Sequence, residues 1–148
     1  MIFITGANGW LGLNLVNAIV SGKTTKWGLV KDNITALILT GTPKEKLLGI
    51  SSSINIFEGN LANKDNLDQF FSSSDNSFLF HTAGIIHPKR VSEFFWVNRD
   101  GTKNLLESAS RARIKKVVIM SSNSPCGCNP NEDHLFDENS LYNPYMNY

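Results

Sequence analysis

The stretch that decides the fold is Met1-Ile2-Phe3-Ile4-Thr5-Gly6-Ala7-Asn8-Gly9-Trp10-Leu11-Gly12, at the start of the chain. Its apolar residues 2–4 predict a short buried strand, and apolar residues at helical spacing predict a helix over residues 10–20. Gly6, Gly9 and Gly12 lie in and just after the turn between these two elements. A strand, a glycine-rich turn and a helix in this order are typical of a nucleotide-binding unit.

The three glycines have separate physical roles. Gly6 and Gly9 let the backbone turn tightly and approach a diphosphate, whereas Gly12 allows the helix to pack closely on the strand. The free N–H groups of Trp10 and Leu11, at the positive end of the helix dipole, then face the pyrophosphate. A glycine turn that only caps the helix is the alternative. The spacing therefore favours a dinucleotide, but it does not identify a reaction.

Composition and charge indicate an ordinary globular chain. The 148 residues are enough for about one domain with a single core, and 41% are hydrophobic and 18% charged. A formal net charge of +1 argues against nucleic acid and anionic membranes as partners. No apolar run approaches the roughly 20 residues of a membrane span, and no signal peptide is predicted. Cys126 and Cys128 are predicted to be free thiols in a reducing cytoplasm, with no metal bound.

Apolar runs alternate with helical patterns along the chain. This alternation predicts an α/β fold with a Rossmann-type doubly wound parallel sheet, strand order 3-2-1-4-5 and a ligand crevice between strands one and four. Because the strands are continuously apolar, we expect helices to cover both faces of the sheet. The predicted strands are 2–4, 36–39, 54–57, 78–80 and 117–120, and the predicted helices are 10–20, 65–71 and 91–112. Residues 22–33 and those after 124 are predicted to be connections and loop.

The end of the second strand leaves the choice of cofactor open. Thr40 stands where an acidic residue usually binds the adenosine ribose. A threonine does not repel a 2′-phosphate, and Lys44 or Lys46 could reach one. The alternative is that both lysines belong only to a solvated helix start. The sequence therefore predicts NAD or NADP, with NADP slightly favoured.

Asn98 falls inside the apolar stripe of the predicted helix 91–112, among Phe94, Phe95, Gly101 and Leu105. A buried amide without partners costs roughly 1–3 kcal/mol, so Asn98 must be hydrogen-bonded. It either orients backbone or water beside a cofactor in the crevice, or it is satisfied by nearby backbone as a purely structural residue.

A serine and a tyrosine are the candidate catalytic pair. Ser122 directly follows the fifth strand, at the strand end where such sheets place their ligands, with Ser121 and Ser124 as rivals. Tyr148 is the candidate acid or base, with Tyr145 as its rival. A phenol with a pKa of about 10 is a poor base unless a neighbouring ammonium favours the phenolate. The alternative for Ser122 is a hydroxyl that only caps backbone.

Several motifs together resemble the extended short-chain dehydrogenase/reductases of the NAD-dependent epimerase/dehydratase type. They are the opening Thr5–Gly12 turn, Gly59-Asn60-Leu61, His81-Thr82-Ala83-Gly84, Val97-Asn98-Arg99-Asp100-Gly101-Thr102-Lys103-Asn104-Leu105-Leu106-Glu107, Val118-Ile119-Met120-Ser121-Ser122 and Pro144-Tyr145-Met146-Asn147-Tyr148. The likeness runs over nearly the whole chain. It implies that residues 1–148 are the N-terminal NAD(P)-binding domain, ending before a substrate-binding portion.

The resemblance also implies roles for particular residues. Ser122 and Tyr148 would be catalytic, with the family's lysine expected four positions after Tyr148. Asn60 replaces the usual aspartate of that motif, and Cys126 replaces a tyrosine. The cofactor-binding residues would be Gly6, Gly9, Trp10, Leu11, Gly12, Thr40, Asn60, Leu61, Thr82, Ala83, Gly84 and Asn98.

The function implied is hydride exchange at a carbinol or carbonyl carbon of a small-molecule substrate, by an oxidoreductase, epimerase or dehydratase. The full-length protein would be a homodimer, and the 148-residue chain itself would be inactive for lack of the lysine. The alternative is a non-catalytic NAD(P)-binding module that senses the state of the cofactor.

Overall fold

A computed structural model describes residues 1–29, 33–72, 76–122 and 124–145. Five parallel strands form one sheet in the order β3-β2-β1-β4-β5, as predicted. The strands are β1 (Ile2–Thr5), β2 (Ile34–Ile38), β3 (Asn55–Glu58), β4 (Phe78–His81) and β5 (Lys116–Ile119). The α-helices are α1 (Trp10–Val20), α2 (Glu45–Ile50), α3 (Lys64–Phe70) and α4 (Thr102–Arg111), with a π-helix at Phe94–Gly101 and 3-10 turns at Thr25–Trp27 and Ser124–Cys126.

Helices pack on both faces of the central strands. Alternate residues of β1 point to opposite faces, so Ile2 and Ile4 join the core beneath α1 and α2, while Phe3 joins the core beneath α3 and α4. On the second face, the ring of Phe3 lies 5.0 Å from that of Phe70 and 5.1 Å from that of Phe71, in edge-on contacts. Such contacts stabilise the core beyond the area they bury. The centre of the sheet is therefore well packed.

The edge strand β5 departs from the prediction of a sheet covered on both faces. All four of its residues are exposed, and the run from Val117 to Met120 has exposed fractions between 36% and 57%. The physical reason is position, because among the described residues β5 pairs with β4 alone and lies at the end of the sheet. The prediction of full coverage is therefore wrong for this strand within the described residues.

Two helical segments also differ from the sequence prediction. Helix α2 was predicted only as a possible helix start, since its six residues are too few for a clear apolar stripe. The predicted helix 91–112 divides into the π-helix and α4, which meet at Gly101. Apolar spacing reveals that a segment is helical, but it does not distinguish a π register from an α register.

Candidate functional site

A cavity of about 490 Å³ opens at the carboxyl ends of the central strands. Its walls are the glycine turn, the end of β2, the loop after β3, the residues after β4 and part of the π-helix. The predicted cofactor residues that line it are Gly6, Gly9, Asn60, Leu61, Thr82, Ala83 and Gly84. Asn8, Trp96 and Val97 also line it, and the sequence reasoning missed them in this role.

The glycine turn lies directly against the residues after β4. A Cβ atom on Gly6 would fall 2.6 Å from the backbone nitrogen of Ala83, and Gly6 has a left-handed φ of +70°. Both the backbone N–H and the hydroxyl of Thr82 donate to the Thr5 carbonyl oxygen, at 3.2 and 2.8 Å. Only glycine fits this close approach, so the turn and the end of β4 form one continuous wall.

Gly9 and Gly12 differ sharply in their surroundings. A Cβ on Gly12 would collide with the carbonyl oxygen of Gly6 and the backbone of Ala7, as expected for a packing glycine. Gly9 has an ordinary backbone conformation at the N-cap of α1, and its nearest neighbour would be the Gly6 oxygen at 3.2 Å. Gly12 therefore supports the fold, whereas Gly9 leaves space in the cavity.

Trp10 and Leu11 form the first turn of α1 but do not line the cavity with their side chains. The Trp10 side chain is 83% exposed. The first backbone N–H groups of a helix have no partner within it, so those of Trp10 and Leu11 are available for an anion. The role predicted for these two residues thus depends on the backbone and not on the side chains.

Asn60 uses its side-chain oxygen within its own loop. The Ala62 N–H donates to Asn60 Oδ1 at 2.9 Å, which shapes the wall after β3. The neighbouring Leu61 is buried, and its carbonyl oxygen accepts from Asn104 Nδ2 at 3.2 Å. The asparagine that replaces the family's aspartate therefore stabilises the loop.

The end of β2 is held by a hydrogen-bonded turn and an ion pair. Thr40 is exposed and does not line the cavity. Lys44 Nζ lies 2.8 Å from Glu58 Oε1, and the Gly41 N–H donates to Glu58 Oε2 at 3.4 Å. The pair raises the pKa of Lys44 and lowers that of Glu58. Lys44, one of the two lysines on which the NADP preference depended, is thus already paired.

A second cavity, of about 260 Å³, adjoins the first and shares Ala83 and Gly84 with it. Ser121, Ser122 and Asn98 line this second cavity, and the rival Ser124 does not. The hydroxyls of Ser122 and Ser124 lie 2.9 Å apart, and the Ser124 N–H donates to Ser122 Oγ at 3.1 Å. Ser122 therefore both lines a cavity and accepts a hydrogen bond from local backbone. The two roles considered for it from the sequence, a hydroxyl that faces a ligand and a hydroxyl that caps backbone, are thus compatible.

Of the two candidate tyrosines, the structure describes Tyr145 and not Tyr148. Tyr148 lies outside the described residues. Tyr145 is exposed and lines neither cavity, and its hydrogen bond with Cys128 raises the pKa of its phenol. A raised pKa leaves even less of the phenol ionised at neutral pH, so less phenolate is present to accept a proton. The geometry thus disfavours the rival Tyr145.

Asn98 holds the backbone of Ile85 with both ends of its amide. Its Oδ1 accepts from the Ile85 N–H at 2.8 Å, and its Nδ2 donates to the Ile85 carbonyl oxygen at 2.9 Å. The amide is thus satisfied by backbone, and the backbone it holds continues from Gly84, which lines both cavities. Asn98 fixes the position of the wall between the cavities.

His81 is a site residue that the sequence reasoning missed. It is only 3% exposed and lines the second cavity. Its Nδ1 lies 2.6 Å from the Thr5 hydroxyl and its Nε2 2.8 Å from the Thr102 hydroxyl. Burial lowers the pKa of His81 to about 4, so the ring is neutral at pH 7. Its sequence signal was a polar residue at the buried carboxyl end of an apolar strand.

Metal and membrane signals are lacking in the part of the chain that the structure describes. It contains no group of three His, Cys, Asp or Glu side chains arranged to hold a metal ion. None of its helices is long and apolar enough to cross a bilayer. Cys126 and Cys128 are both free.

The parallel sheet, its strand order and the glycine turn at its centre define a Rossmann-type α/β protein. The chain belongs to the NAD-dependent epimerase/dehydratase family, whose model matches residues 2–148. This confirms the resemblance seen in the sequence, and the family is one that depends on a nicotinamide cofactor.

Individual relatives agree with this assignment. The chain is 36% identical to the uncharacterized protein y4nL of Sinorhizobium fredii, over 100% of this chain and 42% of that protein. It is 28% identical to a UDP-glucose 4-epimerase of Pisum sativum, over 82% of this chain and 36% of that enzyme. A solved dTDP-glucose 4,6-dehydratase, DesIV of Streptomyces venezuelae with NAD and TYD bound, superposes with a TM-score of 0.86 and 21% identity, over 99% of this chain and 46% of that one. The chain thus spans less than half the length of these relatives.

Proposed function

We propose that residues 1–148 are the nicotinamide-dinucleotide-binding domain of an epimerase/dehydratase-type oxidoreductase. The observation that carries this proposal is the pair of adjoining cavities, one against the glycine turn and one against Ser122, which share Ala83 and Gly84. A dinucleotide that lies along the first cavity, with its diphosphate at the turn, would bring its nicotinamide end past this shared wall.

The residues present fit such a cofactor. The open space beside Gly9 and the free N–H groups of Trp10 and Leu11 suit a diphosphate, and the loop at Asn60 and Leu61 suits the adenine. Thr82, Ala83 and Gly84 would flank the nicotinamide. When bound, the cofactor supplies the hydride acceptor or donor.

The chain's own residues would handle the substrate oxygen and its proton. Ser122 would hold the oxygen by a hydrogen bond from the wall of the second cavity, and Tyr148 would exchange the proton. Asn98 would keep the backbone at Gly84 and Ile85 in place, and the neutral His81 ring would keep β1, β4 and α4 in register. We propose that a lysine four positions after Tyr148 favours its phenolate.

The proposal also covers the substrate class, the oligomeric state and the cellular location of the complete protein. We propose a small-molecule substrate, a homodimer and a cytoplasmic location. The two free thiols support a reducing compartment, and the near-neutral charge supports a small substrate in preference to nucleic acid.

Cofactor binding is tested by Gly9→Val. Because Gly9 has an ordinary backbone conformation and a Cβ there would meet the Gly6 carbonyl oxygen at 3.2 Å, we expect a small local shift to accommodate valine, which fills space where the diphosphate would lie. Thermal melts verify that the variant is folded. We expect the dissociation constant for NAD to rise at least about tenfold by titration calorimetry. The matched control is Gly49→Val, where a Cβ meets no atom within 4 Å, and its affinity should equal that of the wild type. Equal affinities for all three proteins would refute the site at the turn.

The chemistry is tested by Tyr148→Phe in a polypeptide that continues through the expected lysine and substrate portion. Loss of the proton-transfer group should lower turnover by about 10²–10⁴-fold while the affinity for NAD stays unchanged. The 148-residue chain itself should bind cofactor far better than it turns over any substrate. Undiminished turnover in Tyr148→Phe would assign the proton transfer to another residue, and no turnover in either protein would favour a non-catalytic module.

A further inference from the structure

A carboxylate reaches the end of β2 from the neighbouring strand. β2 itself ends without an acidic residue, since Thr40 stands where a ribose-binding acid would be. Glu58 is the last residue of β3, paired in register with Ile38, and its side chain extends toward the turn after β2. Its Oε2 accepts from Gly41, the residue directly after Thr40.

The turn that receives this carboxylate is fixed on two sides. The Thr42 hydroxyl donates to the Leu39 carbonyl oxygen at 2.5 Å and accepts from Asn8 Nδ2 of the glycine turn at 3.2 Å. The turn is thus tied both to the proposed diphosphate site and to β3. The Glu58 charge is therefore held against the turn after β2, where Leu39 lines the proposed dinucleotide cavity.

The same carboxylate pairs with the nearby cation. Lys44, one of the two lysines predicted to reach a 2′-phosphate, has its ammonium 2.8 Å from Glu58 Oε1. The hydrogen bond from Lys44, followed by that from Gly41, lowers the pKa of Glu58, so the carboxylate is ionised at neutral pH. A 2′-phosphate beside Thr40 would meet this negative charge and a lysine whose charge is already balanced.

We propose that Glu58 determines cofactor choice in this chain, excluding the 2′-phosphate of NADP by its charge and by holding Lys44, so that NAD is preferred. In this proposal Glu58, at the end of β3, takes the place of the acidic residue that usually binds the adenosine ribose from the end of β2. This inference rests on the proposed function, because it concerns the adenosine end of the same dinucleotide site.

The test compares the affinities for NADP and NAD after Glu58→Gln. Glutamine retains the length of the side chain and an oxygen that accepts from Gly41, but it removes the charge and releases Lys44. We expect the ratio of the NADP to the NAD dissociation constant to fall about tenfold, mainly through tighter NADP binding. The change should shrink as the ionic strength rises, because exposed charges are screened by salt.

Two further proteins make the comparison specific. Glu58→Gln with Lys44→Ala should return most of the way to the wild-type ratio, because the released cation is then absent. The matched control is Glu107→Gln, which breaks the ion pair between Lys64 of α3 and Glu107 of α4, a 2.9 Å contact of similar exposure. Its ratio should equal that of the wild type. Thermal melts of all the proteins verify that they are folded.

The possible results separate this inference from the proposed function. If the wild type binds neither NAD nor NADP, the proposed function and this inference fail together. If NAD binds and the ratio in Glu58→Gln stays within about twofold of the wild type, the role of Glu58 is refuted while the site stands. An about tenfold loss of NADP affinity in Lys44→Ala alone would also refute it, since Lys44 would then recognise the phosphate despite its pairing.

Discussion

The first and last strands along the chain are both mostly apolar, but they lie in opposite environments. β1 reads Ile-Phe-Ile-Thr and is buried at all four positions, whereas β5 reads Lys-Val-Val-Ile and is exposed at all four. β1 has a strand on each side and helices over both faces, whereas β5 has β4 alone beside it in the part of the chain that the structure describes. Apolar composition thus forms a strand in both places, but burial depends on the neighbouring elements that cover it.

The contrast matters because the candidate site includes both regions. The glycine turn follows β1 and rests on the buried core, while Ser121 and Ser122 follow β5 at the exposed edge. Side chains held by packed surroundings keep their positions more closely than side chains on an exposed edge. The proposed cofactor side of the site is therefore better fixed than the proposed catalytic side.

The largest expected effect on stability comes from adding a single methyl group beside the glycine turn, which follows the buried strand β1. Gly12→Ala should lower the free energy of unfolding by about 3 kcal/mol or more, because the new Cβ collides with backbone at Gly6 and Ala7. The control Gly49→Ala, in an open position of α2, should be neutral or stabilising by up to about 1 kcal/mol. Urea denaturation measures both, and equal midpoints would contradict the close packing of the turn.

A smaller effect, dependent on pH, is expected from His81. Its folded pKa of about 4 lies below the ordinary 6.5, so the unfolded chain takes up the proton first as the pH falls. Stability should therefore decrease by about 2–3 kcal/mol between pH 6.5 and 4, and this contribution should be complete above pH 6.5.

The comparison protein for this pH effect is His81→Gln, since other groups that titrate in the same range are common to both proteins. Subtracting the two stability profiles isolates the contribution of His81. Parallel profiles between pH 4 and 6.5 would show that the imidazole is not desolvated in the folded chain.

The smallest expected effect on stability lies at the exposed strand. Val118→Lys should change the free energy of unfolding by less than about 1 kcal/mol, because Val118 is already 44% exposed. An apolar edge strand promotes pairing between chains, and a lysine opposes it. In sedimentation experiments, residues 1–148 should associate as concentration rises, and the variant should associate less. A wild-type chain that stays monomeric throughout would indicate that β5 does not pair between molecules.

Much of the fold follows from local sequence signals. The strand order was predicted correctly, and the helix predicted over residues 10–20 is α1 (Trp10–Val20). These features depend on continuous apolar runs and on glycines with a clear steric purpose. The exposure of β5 was not predictable in the same way, because a strand sequence carries no information about which elements lie beside it.

The parts of the candidate site formed by glycines and strand ends were predictable from the sequence. The parts that depend on side-chain contacts between distant residues were less predictable. Gly6, Gly9 and Ser122 carry recognisable signals and line the two cavities. His81 and Glu58 act through contacts with residues far away in the sequence, such as Thr5 and Gly41. Contacts of this kind arise only when the chain folds, so single-residue patterns do not reveal them.

The hydrogen bonds of His81 have a consequence for the direction of the hydroxyl groups around it. A neutral imidazole carries hydrogen on one nitrogen only, so one of the two threonine hydroxyls donates to the ring and the other accepts from it. Thr5 precedes the glycine turn, and Thr102 lines the second cavity. A change of tautomer would reverse both bonds without moving a heavy atom. The direction of the Thr102 hydroxyl in the second cavity is thus linked, through His81, to the direction of the Thr5 hydroxyl at the start of the glycine turn.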